Sequence, residues 1–458
     1  MAGNLKYNKI IKYKVRAYCV SPLHIGSAMG EKGEILIHPV DGKPFIQASS
    51  IAGVFRSNFA FIYGVDAAEK LFGSRHQQEN TNTSEYSSCI CFSDAVFLED
   101  DTSSIKMELR PHVRINRDTG TVDDSKVSGT TEMSGQKFDM KYIGAGARFW
   151  FEIYLYDETE MKRLENVLEL LHLGQIQIGG KKSNGSGYIQ LENLLRKTFD
   201  MTKKEDRRDW INEDNLKDTD YEDYLSALKL TVPSRNAYEI RVIGKTENAV
   251  LIKSIAASDI GEGAAKNENI QNAKKEYIIP GSSLKGALRF QMERIAGYLK
   301  NNSIIEEIFG SEENASDKSK KVGNLFVKDI VVGKIEDNDK VDLEYRIHID
   351  KFTGGVIKKS LFSERNIFGE LQIDMRINHT HNPEATLGLL VLALRDLAIG
   401  QMNLGSGYSV GKGIIDVKEI EIFKSAAGKK AVLTFGDNSF ISDESDIIGT
   451  ALKALGGR

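Results

Sequence analysis

Apolar and polar residues alternate in the opening stretch, where Tyr13, Val15 and Ala17 stand at every second position. That period predicts a half-buried strand. Ser49–Gly64 and Ser282–Leu299 instead carry apolar residues at helical spacing, each opening on Ser-Ser. Serine there reads as an N-cap that satisfies free backbone N–H groups of the first turn. Lys162–Leu173 and Glu384–Leu397 predict second helices, each followed closely by a Gly-rich, strand-like segment. A strand–helix–strand order met twice predicts an α+β fold on the ferredoxin-like, split βαβ plan. The most apolar stretch, Leu387–Leu394, is broken by Arg395 and Asp396. It is far too short to span a bilayer.

The same features recur in the same order in both halves, the mark of an internal duplication. Tyr13–Ala17 answers to Tyr238–Val242, and Phe45–Gly53, with Ala48-Ser49-Ser50, answers to Ile278–Gly286, with Gly281-Ser282-Ser283. Leu71-Phe72-Gly73-Ser74 matches Ile308-Phe309-Gly310-Ser311, and the strand aspartates Asp94 and Asp329 correspond. Ile115–Gly120 matches Ile349–Gly354, both reading as hairpins with a Thr-Gly turn. Gly174–Gly179 matches Gly400–Gly405. The expected organisation is therefore a first domain over 1–200, a charged linker over 201–235, and a second domain over 236–458.

Composition narrows the class. The chain has 458 residues, 41% hydrophobic and 28% charged, an ordinary globular mix. Lys and Arg total 61 against 65 for Asp and Glu, so the whole chain is not a basic nucleic-acid binder. Met201–Leu225 holds five basic and nine acidic residues, which accounts for the net charge of −4. That stretch reads as a solvated linker or a polar helical bridge. The rest is formally balanced, so any affinity for RNA must come from local placement of cations. Cys19, Cys89 and Cys91 make neither a disulfide framework nor good zinc spacing. They point to a reducing cytoplasm, and the first residues lack the apolar core of a signal peptide.

The Gly-rich segments Ile178–Tyr188 and Leu404–Ile414 carry Lys181, Lys182 and Lys412. Glycines allow close approach, and successive N–H groups can cradle a phosphate, so the two segments suggest an anionic ligand rather than plain turns. The Ser-Ser helix starts place Ser49, Ser50 and Arg56, and Ser282, Ser283, Lys285 and Arg289, near a positive helix end. After the second Thr-Gly turn, Val356, Ile357, Leu361 and Phe362 form an apolar tip that could insert between bases. Arg365 follows it.

Together these blocks resemble the RAMP superfamily of CRISPR systems. They look like the backbone RNA-binding subunit of type III effector complexes, fused to a second copy as in type III-D and III-E variants. The motifs that carry the resemblance are Leu23-His24-Ile25-Gly26, the Ser-Ser-x-x-Gly pair, Leu71-Phe72-Gly73, Phe92-Ser93-Asp94, the Ile-Asp-x-x-Thr-Gly hairpin start and both Gly-rich loops. The first half shows Asn116 where that hairpin motif has Asp. The resemblance implies two modified ferredoxin-like, RRM-like domains, each with a thumb hairpin that displaces a nucleotide of a guide–target duplex. It implies a role in antiviral defence, within a ribonucleoprotein of guide CRISPR RNA, target RNA, a large subunit and further RAMP subunits, with no membrane. It also implies metal-dependent cleavage of target RNA by a loop Asp, with Mg2+ the expected ion.

Asp259 is the first choice for that position and for the metal, with Glu262 and Glu268 as runners-up. In the first half Glu34 is the nearest carboxylate, so cleavage is expected from at least the second repeat. His24 is a candidate RNA contact, ranked below Asp259 as a catalytic group. Two alternatives stay open. One is a non-catalytic RNA-binding scaffold; the other is an endoribonuclease that processes the guide precursor with His24.

Overall fold

The computed structural model describes residues 8–26, 33–74, 86–99, 105–113, 137–232, 237–254, 265–311, 322–333, 341–358, 360–378, 381–425, 428–435, 440–443 and 446–456. The first part of the chain runs β1 (Lys9–Cys19), β2 (Phe45–Ile46), α1 (Ala48–Tyr63), α2 (Val65–Phe72), β3 (Ile90–Phe92), β4 (Ala95–Phe97), β5 (Met107–Val113), β6 (Lys137–Ile143), β7 (Arg148–Leu155), α3 (Met161–His172), β8 (Ile189–Asp200), α4 (Lys204–Ile211) and β9 (Glu222–Asp223). The second runs β10 (Tyr238–Thr246), β11 (Ala265–Asn267), β12 (Ile278–Ile279), α5 (Gly281–Tyr298), α6 (Ser303–Phe309), β13 (Leu325–Val327), β14 (Ile330–Val331), β15 (Val341–Arg346), β16 (Phe362–Ile367), β17 (Glu370–Ile377), α7 (Pro383–Ala398), β18 (Ile415–Lys424), β19 (Lys429–Thr434), β20 (Phe440–Ser442) and α8 (Ile447–Gly456). The chain divides into two compact units. The first comprises Met1–Glu108, Lys141–Lys182 and Ser186–Pro233; the second comprises Leu109–Met140, Ser183–Gly185 and Ser234–Arg458.

In the first unit the sheet runs β2-β4-β7-β1-β8-β9, and in the second β13-β17-β10-β18-β19-β20. The central strands β7-β1-β8 and β17-β10-β18 pair antiparallel. The opening strand therefore lies between the strands that flank the second helix, β7 and β8 around α3 and β17 and β18 around α7, the ferredoxin-like order that the element pattern predicts. Alternation decides the faces: in β10, Tyr238, Ile240 and Val242 are buried while Glu239, Arg241 and Ile243 are not. Phe149, Phe151, Ile153 and Leu155 do the same in β7. α1 and α3 supply the apolar cover in the first unit, through Ile51, Phe55, Phe59, Leu164, Val167 and Leu168. α5 and α7 do so in the second. The hairpin strands β5–β6 form a two-stranded ribbon, while β15–β16 make a three-stranded sheet with β11, which lies parallel to β16.

Two expectations change. The opening strands correspond two residues away from the sequence match. Ile11 pairs with Leu155 at the end of β7, and Tyr238 pairs with Ile377 at the end of β17, so Tyr238 takes the place of Ile11 rather than Tyr13. A bulge follows at the same point in both, between Arg16 and Ala17 and between Ile243 and Gly244. The Ser-Ser pairs are not N-caps: the caps are Gln47 and Pro280, with no side-chain cap bond of their own. The strand aspartates act instead. Ala48 N donates to Asp94 Oδ1 at 2.7 Å and Gly281 N to Asp329 Oδ1 at 2.9 Å, leaving the serines inside the first turn.

The charged stretch 201–225 contains α4 and β9, and β9 pairs with β8. Its carboxylates meet cations of the sheet: Asp218 is 3.3 Å from Lys14, Asp209 3.4 Å from Lys197 and Glu222 2.8 Å from Arg196, and Glu213 pairs with Lys12. Tyr221, Tyr224 and Leu228 are buried. The segment is thus laced to the first unit's sheet, through β8 and the central strand β1, by ion pairs and a few apolar anchors.

Candidate functional site

Both Gly-rich segments are built bond for bond alike. Ile178 N donates to Gly187 O at 2.9 Å, Gly180 N to His24 O at 2.8 Å and Gly187 N to Pro22 O at 2.9 Å. In the second unit Leu404 N donates to Gly413 O at 2.8 Å, Ser406 N to Leu251 O at 2.9 Å and Gly413 N to Ala249 O at 2.9 Å. These amides hold the loop to the segment after the opening strand. The phosphate-cradle reading is corrected for them, because their donors are already taken by carbonyls. The equivalence also places Leu251 where the first repeat has His24.

Lys412 does not face solvent as an RNA contact would. It is 4% exposed, and its ammonium lies 2.7 Å from Glu364, 3.0 Å from Glu344 and 2.7 Å from Asn366 Oδ1. It ties the Gly-rich loop to the β15–β16 ribbon. Its hydrogen bond holds the Glu344 carboxyl down at about 2. Lys285 donates to Leu325 O at 3.0 Å, and burial, with Arg289 adding positive charge, lowers it to about 8. Arg289 pairs with Glu293 at 2.9 Å on its own helix. Three of the seven lysines and arginines set aside for RNA, Lys412, Lys285 and Arg289, are thus engaged inside the second unit. Lys181 is exposed and Lys182 half-buried; Arg56 is half-buried, and Ser49 is exposed beside half-buried Ser50, Ser282 and Ser283.

His24 is 8% exposed, and its Nδ1 lies 2.8 Å from the Lys141 carbonyl. It packs against Tyr142, with Nδ1 committed to that carbonyl. Asp259 and Glu262 lie outside the described residues. Glu34 is described and pairs with Lys141 at 2.9 Å. Glu268 faces Arg365, with Nε 3.8 Å from Oε1. Sequence reading missed Lys141. The signal that finds it is the bridge Leu23–Ile143 beside its counterpart Val250–Ile367, which puts Lys141 and Arg365 at the same position.

The second hairpin carries an exposed apolar face. Its turn is set by Asp350, whose Oδ1 accepts from Phe352 N at 2.9 Å and Thr353 N at 2.7 Å, while Ile349 bridges Val356. Those backbone bonds hold the Asp350 carboxyl below its ordinary range. The Thr-Gly turn read from the sequence is therefore present, with Asp350 as its organiser. Phe352 is 98% exposed, Tyr345 66%, and Val356 and Ile349 59% each. Folding leaves this surface outside, as a partner-binding element would. Of the predicted tip, Val356, Ile357 and Leu361 are exposed, whereas Phe362 is only half-exposed and lies against His348. The first hairpin's counterpart turn, with Asn116, lies outside the described residues.

Among the described residues, no group of three or more His, Cys, Asp or Glu side chains could hold a metal ion. The carboxylates expected to hold Mg2+, Asp259 and Glu262, lie outside the described residues. No helix among them is long and apolar enough to cross a membrane.

A family model of the RAMP superfamily matches residues 16–190 and 250–416, more than half of the chain and once in each repeat. No curated protein matches. Among solved structures, the chain is similar to one described as the cryo-EM structure of the type III-B Cmr-beta bound to cognate target RNA. Identity is 17%, the TM-score is 0.32, and the match covers 41% of this chain. This chain spans 61% of that chain's length.

Proposed function

Since the chain belongs to the RAMP superfamily, we propose that it is a guide CRISPR RNA-binding backbone subunit of a type III effector complex, supplying two consecutive positions from one polypeptide. The observation that carries this reading is the second hairpin, which holds Phe352 and Tyr345 out of the core beside a turn closed by Asp350. Aromatic and apolar side chains on such a hairpin stack on or wedge between bases of any sequence. A backbone subunit needs that tolerance, because guides differ. The near-neutral charge fits a subunit that shares its RNA with neighbours. The partners proposed are the guide, the target RNA, a large subunit and further RAMP subunits.

The catalytic part of the proposal assigns target-RNA cleavage to the second repeat, with Asp259 as its carboxylate. The target's own 2′-hydroxyl attacks the adjacent phosphorus to give a 2′,3′-cyclic phosphate, and the bond to the 5′ oxygen breaks as that oxygen takes a proton from water. The domain holds the linkage in line while a carboxylate accepts the proton.

Asp259→Ala in the assembled complex, with guide and matched target, is expected to abolish cleavage at one position while guide binding is unchanged. Cleavage retained at every position would reduce the role to a non-catalytic scaffold.

A further inference from the structure

The carboxylate–cation pair beside each opening strand is the same device built twice. In the first unit Leu23 and Ile143 exchange both backbone hydrogen bonds at 2.8 Å, and Leu36 N donates to Ile25 O at 2.8 Å. In the second, Val250 and Ile367 exchange theirs at 3.0 and 3.2 Å, and Ile270 N donates to Ile252 O at 3.1 Å. Counting back from these bonds, Lys141 and Arg365 each stand two residues before the paired isoleucine. Glu34 and Glu268 each stand two residues before the residue that bonds Ile25 or Ile252. Both pairs are exposed: 45% and 40% for Lys141 and Glu34, 40% and 52% for Arg365 and Glu268.

Such pairs add at most about 1 kcal/mol to stability, so folding alone does not call for two copies. The strand that carries each cation is nevertheless fixed from inside. The Lys141 carbonyl is met by His24 Nδ1, and the Arg365 carbonyl accepts from Asn269 Nδ2; both partners are buried. The two donors come from different positions, His24 being replaced by Leu251 and Asn269 by Ile35. One backbone carbonyl is thus held in both repeats by different means. Each cation stands on the hairpin's second strand, β6 or β16, the ribbon assigned above to RNA.

We propose that Lys141 and Arg365 are equivalent RNA-phosphate contacts, one per repeat, each masked in the free protein by its own glutamate. RNA must displace Glu34 and Glu268 to reach them, so each glutamate lowers affinity for stray RNA until neighbouring contacts drive the exchange. This rests on the RNA-binding reading above and names part of its site. It also explains how a formally neutral chain can present cations.

The test is binding of a fluorescent single-stranded RNA oligonucleotide to the full chain across a salt series. Lys141→Ala with Arg365→Ala is expected to weaken binding, and to lower the log–log salt slope by about 0.7 per cation removed. Glu34→Gln with Glu268→Gln is expected to tighten binding at least threefold, the opposite of what loss of a structural ion pair would do. Lys141→Arg should restore the slope. Melting curves show whether each variant is folded, and the glutamine pair, which removes no cation, gives an independent reading. An unchanged slope in the alanine pair, or weaker binding in the glutamine pair, overturns the inference alone if the wild type binds RNA. Absence of RNA binding by the wild type overturns both the inference and the RNA-binding reading.

Discussion

Replacing Lys412 with methionine is expected to cost the second unit about 3–5 kcal/mol, the penalty for stranding a buried charge. The ammonium is 4% exposed between Glu364, 10% exposed, and Glu344, 34% exposed. Without it two carboxylates face each other on β15 and β16 with Arg346 as their remaining cation, 2.9 Å from Glu344 and 3.3 Å from Glu364. For a unit of this size the melting temperature should fall by roughly 10 °C. The double variant Lys412→Met with Glu364→Gln should recover part of the loss, because it removes one of the stranded charges.

The same cluster sets an acid dependence. Glu344's carboxyl lies at about 2 in the folded chain, below the ordinary 4.5. A depressed carboxyl stabilises above its unfolded value, and that contribution is lost as pH falls from about 4.5 toward about 2. Wild type should therefore lose stability over that window, and Lys412→Met should lose less of it. Denaturant titrations at pH 7, 4 and 3 on both proteins check this. Equal pH dependence would contradict the account of the cluster.

Gly413→Ala and Gly187→Ala are the second pair of large effects. Each glycine has φ +83, and an added Cβ would lie 2.3 Å from the Leu404 carbonyl oxygen or 2.0 Å from that of Ile178. Both obstacles are backbone atoms inside the hairpin that closes the Gly-rich loop, so neither can turn aside. The left-handed conformation costs about 1–2 kcal/mol and the displaced carbonyl about 1–3 more. Each variant should melt well below wild type, with Gly187→Ala acting on the first unit and Gly413→Ala on the second. Gly53→Ala is the control, since nothing lies within 4 Å of its Cβ. A mild effect at Gly413 would mean that the loop is not pinned as its hydrogen bonds indicate.

The fold was legible where the signal is periodic or local. Strand alternation, the helical stretches and the repeated Phe-Gly blocks stand where the pattern places them, whereas the Ser-Ser pairs lie inside the first turn rather than at the N-cap and leave the cap bonds to Asp94 and Asp329. The register of the opening strands was not, because a slip of two residues keeps every side chain on its own face. Tyr13 and Tyr238 therefore look equivalent in sequence and are not. Lys412 was misjudged for a different reason. A lysine in a Gly-rich loop looks free until its partners are known, and Glu344 and Glu364 are remote in the chain. Lys141 was missed because only the bridge to Leu23 aligns it with Arg365. The exchange of His24 for Asn269 crosses between neighbouring segments, so no linear comparison pairs them.

The central claim is that both repeats bind one RNA through their hairpins. Photo-crosslinking of the full chain, assembled on a 4-thiouridine-substituted guide, tests it most directly when adducts are located by mass spectrometry. The account predicts adducts on the peptide containing Tyr345 and Phe352, and others on the β5–β6 hairpin of the first repeat. Adducts confined to one repeat, or falling away from both hairpins, would contradict it.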